Sequence, residues 1–169
     1  KEMKLNFDKE YVSSLDDRDK DVNRLYFLIY RSVLFNLQNP MKSLKNLNMT
    51  SLDLVRAKSL SFYIEAIADE VRRTGRYIKK MDLSLEKQKE HKKFLDKVED
   101  YYIDTIKTAY SKDIKGALKL SDTKLKLEKY LIKFEEDVME IKYMNRYIGR
   151  LERWLSLIHN LGRIIYTIE

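Results

Sequence analysis

Apolar residues return at three- and four-residue steps over most of this chain of 169 residues, which is the spacing of one helical face. From Asp8 to Gln38 the stripe reads Val12, Leu15, Val22, Tyr26, Ile29 and Val33. Asp8 is placed to accept the unpaired N–H groups of a first turn. Asn39-Pro40 ends the helix, because a residue before proline avoids the α region. A polar loop is expected up to Thr50. There Thr50 and Asp53 form a capping-box-like pair and open a second helix to about Lys80, with the inner stripe Ala57, Leu60, Ile64, Ala68, Val71, Gly75 and Ile78. A third helix opens near Ser84 and carries Leu95, Val98, Tyr102, Ile106 and Ala109, and Ser111-Lys112-Asp113 reads as a turn with a new cap. The fourth shows two seven-step series, Leu118, Leu125, Ile132, Met139 and Leu120, Leu127, Phe134, Ile141, read together as one broad interior face. The fifth runs from about Tyr143 to Ile168 on Met144, Ile148, Leu151, Leu155, Ile158, Leu161 and Ile165. The break before it rests on bundle geometry, since no breaker residue marks it. Helices of about 26 residues are about 40 Å long, and short links make them antiparallel neighbours.

Composition narrows the chemistry. Four Gly and one Pro leave the elements uninterrupted, and zero Cys removes disulfides, thiolate catalysis and Cys-ligated zinc. The most apolar stretch, Leu25 to Leu37, contains Arg31 and falls short of the roughly 20 residues of a membrane span. No signal peptide is visible, and a start at Lys1 suggests a fragment or a processed product. A net charge of +7 with 36% charged residues fits a solvated Lys-rich helix surface, with nucleic acid or an anionic leaflet as the alternative partner. No nucleophile–base arrangement, phosphate loop or zinc spacing occurs. His91 lies among Lys and Glu and is expected at the surface. His159, beside Leu155 and Ile158, is expected to pack. Trp154 and the many Tyr residues fit bundle packing or an interface.

Acidic residues interrupt the apolar stripes. Asp19 stands at Leu15 plus four, on the inner face, and must be paired, hydrogen-bonded, protonated or metal-bound there. Asn23 follows one turn later. On the second helix Glu65 and Asp69 are also four apart, where like charges repel by a few tenths of a kcal/mol. Packed antiparallel, the two helices bring Asp19, Asn23, Glu65 and Asp69 together, an oxygen-rich set suited to Mg, Mn or iron. Ion pairs with Arg72 and Arg73 account for the same residues without a metal.

The segment Asp17-Arg18-Asp19-Lys20-Asp21-Val22-Asn23-Arg24-Leu25-Tyr26-Phe27-Leu28-Ile29 resembles the second-helix signature of PhoU proteins, particularly their archaeal branch. Ser59-Leu60-Ser61-Phe62-Tyr63-Ile64-Glu65-Ala66-Ile67-Ala68-Asp69 is similar to that family's third-helix motif. The resemblance implies an all-α fold of two tandem antiparallel three-helix bundles, residues 1–83 and 84–169, with the first incomplete because Lys1 to Phe7 supply only the tail of its first helix. It implies non-catalytic regulation of phosphate uptake from the cytoplasmic side, by contact with a phosphate transporter or a signalling protein at the membrane. In some members it implies metal clusters, here a divalent or iron cation on Asp19, Asn23, Glu65 and Asp69. Asn23 stands where the family usually has Asp, and Leu155 and His159 stand where the second repeat would carry its acidic pair. No AbrB-like DNA-binding segment is present.

Two helices without a third leave an apolar groove beside Val22, Ile29, Ile64 and Val71. Such a patch is expected to be covered by a second copy, the neighbouring bundle or a removed N-terminal segment, so a homo-oligomer is expected. A basic helical protein associated with nucleic acid is the competing function. A di-iron enzyme is disfavoured, because Glu-x-x-His motifs are lacking.

Overall fold

The computed structural model describes residues 9–78, 80–81 and 83–167, and all regular structure among them is helical. Six helices follow in order: α1 (Lys9–Gln38), α2 (Pro40–Leu47), α3 (Ser51–Ile78), α4 (Leu85–Ser111), α5 (Ile114–Val138) and α6 (Met144–Thr167). The expected first cap, Asp8, and the segment Lys1 to Phe7 lie outside the described residues.

Local chemistry sets most of the helix ends. Asn39-Pro40 stops α1, but the following stretch is the short helix α2 rather than a polar loop. Pro40 supplies its first residue, where a missing N–H costs nothing. Asn48, in the left-handed region at φ 51°, closes it by donating its N–H to the Leu44 carbonyl at 3.1 Å. The capping box forms as expected: Asp53 N–H donates to Thr50 Oγ1 at 3.2 Å, and Thr50 N–H donates back to Asp53 Oδ2 at 3.0 Å. The Thr50 hydroxyl, donating to Asp53 Oδ2 at 2.7 Å, and the Thr50 N–H hold the Asp53 carboxyl below its ordinary pKa. Ser84 and Asp113 cap α4 and α5, accepting from the N–H groups of Lys87 and Gly116. The turn before α6 carries Tyr143 at φ 72°, so it is made by one left-handed residue without glycine or proline.

α6 is the centre of the molecule. It packs against α3, α4 and α5, while α1 packs on α3 and touches α2. Met144, Tyr147, Ile148, Leu151, Leu155, Ile158 and Leu161 of α6 are all buried, as the stripe predicts. The same core takes Phe94, Val98 and Tyr101 from α4, Leu127, Leu131, Phe134 and Val138 from α5, and Ile67 from α3. The boundary at residues 83/84 therefore separates helices but not cores.

α3 buries two faces, where one stripe was expected. Ser61 and Gly75 belong to the side that meets α1, and a Cβ on Gly75 would lie 2.7 Å from Leu15 Cδ1. Small residues let the two helices approach closely. Leu15 by Gly75 and Tyr26 by Phe62, with ring centroids 6.5 Å apart, fix them antiparallel.

Two expectations are corrected. The series Leu118, Leu125, Ile132 and Met139 is exposed, while Leu127 and Phe134 of the other series are buried and Leu120 and Ile141 are half-buried against the core. Residues two apart are about 200° apart around a helix, so the two series cannot share a face. His91 is not at the surface: it is 3% exposed and enters the core between Phe94, Phe134 and Tyr147.

Candidate functional site

The acidic interruptions do face one another across α1 and α3. Asp19 is nearly buried, and its Oδ2 accepts from Asn23 Nδ2 at 3.4 Å. Arg72 enters the same space from α3. Its Nε lies 3.2 Å from Asp19 Oδ2, and its other nitrogens reach Asp16 Oδ1 at 3.7 Å and Asp69 Oδ1 in a short contact. Arg73 binds Asp69 Oδ2 at 2.6 Å, and Arg76 binds Asp16 Oδ1 at 2.6 Å.

Glu65 lies close enough to feel both aspartates. Its pKa is pushed up, first by burial and then by the charges of Asp69 and Asp19, with Arg73 and Arg72 opposing. Asp19, Asn23, Glu65 and Asp69 are thus one cluster, and the guanidinium of Arg72 stands between Asp19 and Asp69. Among the described residues no group of three or more carboxylates or imidazoles is arranged to hold a metal ion. The residues do not fit a resident metal while Arg72 is in place. A metal there would have to displace a cation already bonded to two helices.

Residue identities alone did not expose the adjoining part of the network. Glu70 is 1% exposed, and three guanidiniums converge on it. Arg150 Nη1 donates to both carboxylate oxygens at 3.2 and 3.3 Å, Arg73 Nη1 to Oε1 at 3.2 Å, and Arg153 Nε lies 3.0 Å from Oε1. Arg73 therefore bridges Asp69 and Glu70, and a chain of ion pairs runs from α1 through α3 to α6. A buried carboxylate without such partners would cost several kcal/mol. The available sequence signal was the second stripe of α3, since Tyr63, Ile67, Glu70, Thr74 and Tyr77 recur at three- and four-residue steps.

The two histidines lie elsewhere. Burial drives the His91 pKa down to about 4, against a smaller opposing pull from Glu90. Its Nε2 shares a hydrogen bond with the Tyr147 hydroxyl, and its buried Nδ1 has no partner. His159 is partly buried, as expected, and its pKa is lowered by burial and by Lys124 and Arg163.

A wide apolar surface lies on α1 and α2. Leu25, Phe27, Leu28, Ile29, Leu34 and Phe35 are exposed on α1, with Leu28 at 65% and Phe35 at 60%. Met41 of α2 is 78% exposed, and Phe62 of α3 is exposed beside Tyr26. The last half of α1 is rich in apolar residues, a pattern that belongs to a buried helix, yet among the described residues its main packing partners are α3 and α2. The groove anticipated near Val22, Ile29, Ile64 and Val71 is part of this setting: Ile29 is exposed and the other three are half-buried. No helix among the described residues is long and apolar enough to cross a membrane. Comparison with family models, with curated proteins and with solved structures gives no match for this chain.

Proposed function

We propose that this chain is a non-catalytic regulator of phosphate uptake of the PhoU type, acting by contact with a phosphate transporter or a signalling protein at the membrane. The observation that carries the reading is the exposed apolar surface of α1 and α2. Contiguous patches beyond a few hundred Å² are uncommon on monomers and mark interaction sites. Leu25, Phe27, Leu28, Ile29, Leu34, Phe35 and Met41 all stay exposed on it. Two further features support it. The sequence motifs of α1 and α3 resemble the family's second and third helices, and their acidic residues meet in space as that pairing requires. The ion-pair chain from Asp19 to Glu70 gives α1 a fixed seat on α3 and α3 a fixed seat on α6, so the apolar surface is held on a rigid support. The reading routes nothing through a metal.

The test is genetic and quantitative. Deleting the gene in the organism that carries it should leave phosphate uptake high when external phosphate is abundant. The wild-type gene should restore repression, and a Leu28→Asp/Phe35→Asp variant should not, although both side chains are exposed and the purified variant should keep its helical circular dichroism. Uptake that is indifferent to the deletion, or repression fully restored by the double variant, would refute the proposal.

A further inference from the structure

The exposed apolar surface of α1 and α2 carries charge of one sign. From Asn23 to Ser51 the chain has Arg24, Arg31, Lys42 and Lys45 and no acidic residue. All four cations are exposed. Arg31, Lys42 and Lys45 enter no ion pair among the described residues, and Arg24 meets Asp21 at 3.3 Å in a solvated pair worth little. The start of α3 continues the bias with Arg56 and Lys58. Its one acid, Asp53, is already held by Arg56 at 3.3 Å and by Lys112 at 3.5 Å. Glu65, two turns further on, is half-buried near Asp69 and Asp19.

The cations are interleaved with the apolar side chains. At about 100° per residue, Leu25, Leu28 and Phe35 fall within about 80° on the side of α1 opposite the buried Asp19 and Val33. Arg24 and Arg31, seven residues apart, form one row about 40–60° from Leu28. From there a guanidinium can lay its methylenes along the apolar side chains and raise its head to a phosphate. On α2, Met41 and Leu44 are exposed with Lys42 and Lys45 next to them in the chain.

We infer that this surface docks on an anionic lipid bilayer. It lies in the headgroup layer, with Leu28, Phe35 and Met41 against the acyl chains and Arg31, Lys42 and Lys45 on lipid phosphates. Exposed apolar side chains accompanied by cations, with no free acid among them, are the composition of an interfacial helix. The negative surface of such a leaflet attracts each Lys or Arg brought near it. A second copy is a poor occupant, because it would set the same cations against one another without an unpaired acid to receive them. Nucleic acid would take the cations but leave the aliphatic side chains in water. The inference rests on the surface that carries the function proposed above and names the first thing that surface meets: a chain seated on the leaflet is then beside a membrane-bound partner.

The test is flotation of the purified chain with vesicles of phosphatidylcholine alone and of phosphatidylcholine with one-third phosphatidylglycerol. The chain should bind the anionic vesicles at least about tenfold more tightly than the neutral ones, and added salt should weaken that binding. Lys42→Glu/Lys45→Glu should weaken it at least about tenfold, whereas Lys129→Glu/Lys133→Glu on α5, an equal change of net charge, should not. Because the chain has no cysteine, Phe35→Cys and Leu125→Cys can each carry a nitrobenzoxadiazole label, whose emission moves to the blue in an apolar medium. The shift should occur on the label at position 35 and not on that at position 125. Indifference to anionic vesicles, equal loss from both lysine pairs, a blue shift at position 125 instead, or self-association through Leu28 and Phe35 in place of vesicle binding would overturn the inference. Vesicle binding together with uptake indifferent to the gene deletion would support the lipid contact and remove the phosphate-control reading. Repression that depends on Leu28 and Phe35 without vesicle binding would do the reverse.

Discussion

His91 makes the fold sensitive to mild acid, and the size of the effect follows from its position. The imidazole is 3% exposed between two phenyl rings, with ring centroids 5.3 Å from Phe134 and 6.0 Å from Phe94. A proton placed on it would be a buried charge, and the pull of Glu90 is too small to offset that burial, so its pKa falls to about 4. In the unfolded chain the same side chain titrates at 6.5. Between those values the unfolded state binds a proton that the folded state refuses. The stability that neutral His91 supplies is complete above pH 6.5 and is lost progressively as pH falls through that value towards 4. Linkage gives a loss of about 2 kcal/mol between pH 7 and pH 5, and about 3 kcal/mol by pH 4. Urea unfolding of wild type and His91→Phe at several pH values over this range isolates the term, because other groups titrate in both proteins. The variant strands the Tyr147 hydroxyl at a cost of about 1–3 kcal/mol, but that cost does not change with pH. His91→Phe/Tyr147→Phe removes both polar partners and should recover most of it. Parallel loss of stability in wild type and variant from pH 7 to pH 5, or a folded-state His91 titration near 6.5 by NMR, would show that His91 is not held neutral by burial.

Three further outcomes follow from the ion-pair chain. Glu70→Ala should destabilise by about 3 kcal/mol in thermal or urea unfolding, since it leaves Arg150 and Arg153 without their shared carboxylate. Glu70→Met keeps the volume but not the charge and should cost nearly as much as Glu70→Ala, and a much smaller loss would mean that packing, not charge, is what Glu70 supplies. Glu65→Gln should stabilise slightly at pH 7, because burial and then the charges of Asp69 and Asp19 raise the Glu65 pKa and so disfavour its charged form in the folded state; a destabilised variant contradicts that assignment. Magnesium, manganese or ferrous ion should leave the melting temperature of wild type unchanged while raising that of Arg72→Ala, and a shift in wild type would show that a metal can displace Arg72.

What the sequence disclosed divides along physical lines. Helix ends governed by neighbours in the chain were legible: Thr50 with Asp53, Ser84, Asp113 and Asn39-Pro40 each act within four residues. The α6 stripe was legible because that helix is surrounded, so every apolar position points at something. α4 was harder. His91, Phe94, Val98, Tyr101 and Thr105 form its buried face, but Lys89, Glu90, Lys92 and Lys93 around His91 imitate a solvated segment, and only the period reveals the difference. On α5 two apolar series suggested one wide face, although their two-residue offset puts them on opposite sides of the helix.

The cluster shows where reading residue types stops. Asp19, Asn23, Glu65 and Asp69 could be placed together from spacing and antiparallel packing, and the structure brings them together. Their chemistry could not be chosen that way. A set of oxygens four residues apart serves a metal ion and a guanidinium equally well, and the decision falls to which cation arrives with the fold. Arg72 arrives on α3, one turn from Asp69, and spans to Asp16 and Asp19 on α1. It is covalently delivered, so it has no dissociation to set against a metal's translational entropy, and it is positioned by the same helix pairing that creates the cluster. Glu70 escaped notice for the converse reason. Its partners Arg150 and Arg153 lie about 80 residues away on α6, and nothing within α3 announces them. The seat of α1 on α3 thus depends on charges that could be read in the sequence, and the seat of α3 on α6 on charges that only the packed helices disclose.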